Sequence, residues 1–123
     1  MAVEENIFNY LTGKSDLTVY IGKRLGWIVL ESKTYPQVTY KRIDSPGQLD
    51  YDDEWQRWRF YVMSNDKFEC QTISDIIQGH LHRAYGLIDG RYFDCIVKID
   101  QSPPEKRADN IFEQYTDYRV CYH

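Results

Sequence analysis

Apolar residues recur along this chain in two rhythms, and the switches between them mark its elements. From Glu4 to Thr12, Ile7, Phe8 and Leu11 fall at helical spacing with acids in the opening turn, where the helix dipole favours them, and Gly13 ends the run. Leu17 to Ile21 predicts a turn or helical turn ahead of Gly22-Lys23-Arg24, and the Trp/Ile/Val-rich stretch Leu25 to Leu30 predicts a strand. After Pro36 the period drops to two: Gln37 to Ile43 reads as a strand, with Val38, Tyr40 and Arg42 on one side. Ser45-Pro46-Gly47 breaks it, and a long polar hairpin loop runs to Glu54. Trp55 to Met63 alternates again, with large side chains on both faces.

Ser64-Asn65-Asp66 offers N-cap residues, with Glu69 placed to close a capping box. The helical spacing of Ile73, Ile76, Ile77, Leu81 and Ala84 then predicts the main helix, ending near Tyr85 at Gly86. Arg91 to Asp100 reads as a strand stopped by Ser102-Pro103-Pro104, Glu105 to Asn110 as a charged loop, and the segment from Tyr115 onward as a final strand with Thr116, Tyr118, Val120 and Tyr122 on one face. The predicted core is Ile7, Leu11, Val38, Phe60, Val62, Ile73, Ile77, Leu81, Tyr118 and Val120. Without regular β-α-β-α alternation, the expected fold is α+β: an antiparallel sheet of about five strands with two helices packed on one face.

At 123 residues, 42% hydrophobic and 28% charged, the chain suits one domain spanning 1–123 with a real core. Fifteen basic against nineteen acidic residues, a net charge of −4, argue against a protein whose main task is gripping phosphate backbones. The longest apolar stretches are far shorter than the ~20 residues a membrane helix needs, and the N-terminus lacks the basic-then-apolar signature of a secretory signal. A cytosolic site of synthesis and no membrane association are therefore expected. Eleven tyrosines among 15% aromatic residues suit surfaces partly covered by a partner.

Candidate chemistry is sparse. His80 and His82 are two apart, whereas zinc ligands on one helix stand three or four apart, so no metal site is expected. Cys70, Cys95 and Cys121 form no C-x-x-C pair and read as free structural thiols. The glycines build neither a dinucleotide fingerprint nor a Walker loop, and no nucleophile elbow is present, so neither cofactor nor enzymatic activity is expected. What stands out is Leu49, Asp50, Tyr51, Asp52, Asp53 and Glu54, leading into Trp55, Arg57 and Arg59. Apolar groups among four consecutive-range acids suit an assembly rim, with the aromatics docking on an adjacent subunit or stacked ring. Arg57 and Arg59 are read as pairing with acids of a neighbouring subunit; the alternative is a small binding module using Trp55 to Tyr61 as a platform for a ligand or single-stranded nucleic acid.

The order of motifs resembles one family. "IFNYLTGKSDLTVYIGKRL", "YPQVTYKRID", "WQRWRFYVMSND", "TISDIIQGHLHRAY" and "YTDYRVCYH" together look like the tail-completion, or tail-to-head joining, proteins of long-tailed bacteriophages. The matching positions are Ile21, Gly22 and Arg24; Pro36, Val38 and Tyr40; Phe60 to Met63; and Asp117, Tyr118 and Val120. Two departures are a longer acidic loop between the second and third strands and the Pro-Pro, charged loop from Ser102 to Asn110. The resemblance implies a structural virion protein assembled in the host bacterial cytoplasm. Such a protein forms a homo-oligomeric ring of six copies at the head-proximal end of the tail, between connector and tail tube proteins, with genomic DNA passing through unbound. A weakly acidic wall suits that place, because it repels phosphate and lets the genome slide.

Overall fold

The computed structural model describes residues 2–30, 32–43, 55–108 and 110–122. Among the described residues, three helices and seven strands follow in the order α1 (Val3–Thr12), α2 (Ser15–Ile21), β1 (Leu25–Trp27), β2 (Gln37–Arg42), β3 (Trp55–Ser64), α3 (Lys67–Leu81), β4 (Ala84–Ile88), β5 (Arg91–Gln101), β6 (Glu105–Ala108) and β7 (Ile111–Tyr122). The strands form one curled sheet in the order β1-β2-β3-β7-β5-β4, and β6 pairs with the start of β7. No helix among the described residues is long and apolar enough to cross a membrane.

This corrects the expectation of a five-stranded antiparallel sheet with two helices. The sheet is mixed, because β1 runs parallel to β2, with Leu25 opposite Val38. Leu17 and Ile21, four apart and fully buried, make α2 a third helix. The strand predicted over Leu25 to Leu30 stops at Trp27, where Ile28 takes φ 71° and the Val29 N–H donates to the Trp27 carbonyl at 2.7 Å, a γ-turn. The main helix ends at Leu81, short of Gly86, because Arg83 turns to φ 67° and its N–H donates to Ile96, starting a strand pair. Two strands were therefore hidden, β4 inside the expected helix end and β6 inside the expected charged loop.

The two long strands carry the architecture. Trp58, Phe60 and Val62 of β3 face the helices, and Tyr118 and Val120 of β7 continue that face. Tyr40 stacks on Phe60 with ring centroids 5.0 Å apart, and Phe60 meets Tyr118 edge-on at 5.5 Å, so aromatics bridge three adjacent strands. Against them α3 sets Cys70, Ile73, Ile77 and Leu81, spaced three and four apart, while α1 contributes Ile7 and Leu11. Every residue of the predicted core is buried to 2% exposure or less. The start of α3 is fixed by Asp66, whose carboxylate accepts from the Phe68 N–H at 3.0 Å, with Ser64 donating to Glu69 at 2.5 Å. Helix α1 touches both β1 and β4, and its Asn6 and Asn9 donate to Asp89 in the β4–β5 turn. The helix so ties the two ends of the curled sheet together.

Candidate functional site

Alternation sends the odd-numbered residues of β3 and β7 to the face away from the core: Trp55, Arg57, Arg59 and Tyr61 beside Tyr115, Asp117, Arg119 and Cys121. Register places Arg59 opposite Asp117 and Arg57 opposite Arg119. Two arginines directly across a ladder repel, and the structure relieves this by turning each to a different partner. Arg57 donates diagonally to Asp117 from Nε at 3.0 Å and from Nη2 at 2.6 Å, while the Arg119 guanidinium lies 5.5 Å from the Trp55 ring. Arg59 donates from Nε to Asp117 Oδ1 at 2.7 Å and from Nη2 to Oδ2 at 3.0 Å, and lies 4.0 Å from the Tyr115 ring centroid. Its hydrogen bond to Asp117 raises the guanidinium's already high pKa further.

Asp117 itself is 0% exposed although it lies on the outer face, with two guanidinium heads over it. Both its oxygens accept from charged donors, which is the condition under which a buried carboxylate is tolerated. Lys41 on β2, 5.6 Å from the Tyr61 ring, and Asp100 on β5, 3.9 Å from Arg57, extend the surface sideways. The result is a stiff, polar-aromatic plate whose central charges are matched within the chain. At its edge the Cys121 thiol donates to the Asp94 carboxylate at 3.3 Å.

Of the residues singled out in the sequence, Trp55, Arg57 and Arg59 are brought together on this plate. Within the chain both arginines donate to Asp117. Leu49, Asp50, Tyr51, Asp52, Asp53 and Glu54 lie outside the described residues. Asp117 and Arg119 were visible as one face of the terminal strand, but nothing in the sequence alone placed that face against β3.

The histidines and cysteines have local roles. His80 Nε2 is 2.8 Å from Asp16 Oδ1, and this hydrogen bond holds the Asp16 carboxyl below its ordinary pKa. His82 Nδ1 accepts from the Lys98 N–H at 3.0 Å. Cys70 is enclosed, and burial pushes its thiol up to about 11. No group of three metal-ligating side chains occurs among the described residues.

Two concavities flank α1. A mostly apolar cavity of about 240 Å³ lies between Phe8, Leu25, Trp27 and Tyr40, with Glu4 and Glu5 at its rim. Burial, helped by those two acids, holds the Tyr40 hydroxyl far above its ordinary pKa. An open groove of about 340 Å³ runs beside β4 past Tyr10, His80, His82, Arg83, Tyr85 and Leu87.

No protein-family model matches the chain. No curated protein matches it in sequence. In three dimensions the fold is similar to that of a chain in a solved structure named "Virion of native gene transfer agent (GTA) particle", with a TM-score of 0.73. The superposition covers 98% of this chain and 94% of that one at 8% identity, so what the two share is the fold from end to end. The fold so defined is a curled mixed sheet carrying three helices.

Proposed function

We propose that this chain is a structural component of a phage-type virion, and within the virion a tail-completion protein. In this reading six copies close into a ring at the head-proximal end of the tail, meeting the connector on one side and the tail tube on the other, and take part in head-tail joining. The carrying observation is the end-to-end fold similarity to a virion chain, 98% of this chain against 94% of that one. The order of motifs in the sequence supports the finer placement, as does a net charge of −4 beside a DNA path. The outer plate supports it too. With Arg57 and Arg59 committed to Asp117, it presents aromatic area and matched charge, the composition of a protein contact, instead of free guanidinium groups for phosphate.

Genetic complementation in a phage tests the placement. Deleting the gene in its parent particle should yield filled heads and separate tails by electron microscopy, with joining restored by the gene in trans. Joined, infectious particles without the gene would overturn the assignment.

A further inference from the structure

The cavity between α1 and the β1–β2 pair is bounded by aromatic rings set at an angle. Trp27 and Tyr40 meet edge to face, with centroids 5.1 Å apart and planes at 70°, and Trp58 backs Trp27 at 5.2 Å. With Phe8 of α1 and Leu25 of β1 they enclose about 240 Å³ of mostly apolar space, which opens past Glu4 and Glu5. Tyr40 is held from behind: its ring stacks on Phe60, and its hydroxyl donates to the Glu4 carbonyl at 2.5 Å. With that hydroxyl committed, Tyr40 offers the cavity its ring. Phe8 and Trp27 are only half-buried, so the walls remain reachable from outside.

The mouth of this cavity is acidic. Glu5 Oε1 accepts from the Ala2 N–H at 3.2 Å, a backbone contact that does not neutralise its charge, and the Glu4 carboxylate has no hydrogen bond or ion pair among the described residues. The helix dipole accounts for acids in a first turn, but not for an aromatic cavity beside them. No group of three metal-ligating side chains occurs among the described residues, so a metal ion does not fit the site. What fits is a group with an apolar body and a cationic end. Ring faces attract ammonium and guanidinium groups, and the long stems of Lys and Arg cover apolar surface while their heads seek acids. We propose that this cavity receives an arginine or lysine side chain of an adjoining virion protein, its stem lying on Phe8, Leu25 and Trp27 and its charged head at Glu4 and Glu5. The source of the side chain rests on the virion reading; recognition of the cation rests on the cavity itself.

The test titrates the nitrogen-15-labelled chain with N-acetylarginine methylamide and follows it by NMR. The Trp27 indole signal and the Phe8 and Leu25 amide signals should move and saturate with a dissociation constant on the order of 1 mM, as suits a single side chain. The norleucine derivative, which has an apolar stem and no charge, should bind at least about tenfold more weakly, the factor expected for a lost charge contact. Glu4→Gln should remove most of that preference while keeping the wild-type melting temperature. Equal binding of the two derivatives, or Trp27 signals that do not move, would overturn recognition of a cation. A second arm uses complementation in the phage. Glu4→Gln should lower the yield of joined particles, and Glu4→Arg, which sets a like charge at the mouth, should abolish joining. Full joining with Glu4→Arg would overturn occupancy by a partner's side chain and leave the virion reading standing, whereas joined, infectious particles formed without the gene would strike the virion reading itself.

Discussion

Replacing Asp117 by Asn keeps the shape of the side chain and removes its charge, which isolates what the two arginines contribute to the plate. Asp117 is fully buried and accepts four hydrogen bonds of 2.6 to 3.0 Å from Arg57 and Arg59. The amide keeps one acceptor and aims an N–H at a guanidinium, so about two charge-assisted bonds are lost, each worth about 1.5–3 kcal/mol when shielded. Breaking a wholly buried pair costs about 3–5 kcal/mol. Here the Arg57 and Arg59 side chains are 44% and 24% exposed, and water partly replaces the lost partner, which lowers the expected cost. We expect Asp117→Asn to destabilise the fold by about 2–3 kcal/mol, which for a chain of this length lowers the melting temperature by about 10 °C. Urea unfolding followed by circular dichroism supplies the free energy. In a double-mutant cycle Asp117→Asn and Arg59→Met should couple by at least about 1 kcal/mol. A cost below about 0.5 kcal/mol, the range of ordinary surface substitutions, would refute the reasoning that this pair is integral to the sheet.

Three further outcomes follow from the packing. Ile77→Ala, in the interface between α3 and the sheet at 1% exposure, should cost about 2–5 kcal/mol in urea unfolding, whereas Lys106→Ala on exposed β6 should cost almost nothing; the reverse order would invalidate the assignment of faces. Gly90→Ala should cost about 1–2 kcal/mol, because φ of +85° is unfavourable for any side chain although an added Cβ would meet no atom within 4 Å, and an unchanged stability would show that the turn relaxes. Cys70, its thiol pushed up to about 11 by burial, stays protonated at pH 8 and should be the slowest thiol to react in a maleimide pulse mapped by mass spectrometry; labelling at the rate of a free thiol would contradict its enclosure.

The parts of this fold that were legible in the sequence are those where one local rule acts alone. Ile73, Ile77 and Leu81 can share only a helix face, and the alternation of β3 put Phe60 and Val62 in the predicted core, although large side chains on both of its faces left Trp58 out. Such periodicity located the ten predicted core residues. Periodicity failed where segments were short or uniformly polar. Strand β6, Glu105–Ala108, is exposed at all four positions and has no apolar face to read; it is a strand because β7 offers a ladder. Strand β4 was absorbed into the helix because Ala84 continues the apolar spacing of α3, yet a signal lay nearby. Asp89-Gly90, with φ of 50° and 85°, is the dipeptide preferred in two-residue hairpin turns, and Leu87-Ile88 and Tyr92-Phe93 flank it. The parallel β1–β2 pair, and the meeting of Arg57 and Arg59 with Asp117 some 60 residues away, depend on which strands become neighbours. No local pattern encodes that choice, so the candidate plate was visible only as its β3 half.

The proposed closure of this chain into a ring in a virion tail is tested by native mass spectrometry of the purified chain, alone and mixed with its cognate tail tube protein. A ring of six copies gives a discrete species at six times the mass of the 14.7 kDa chain, appearing by negative-stain microscopy as a ring with a central opening. A chain that stays monomeric or forms only closed dimers under both conditions would contradict it.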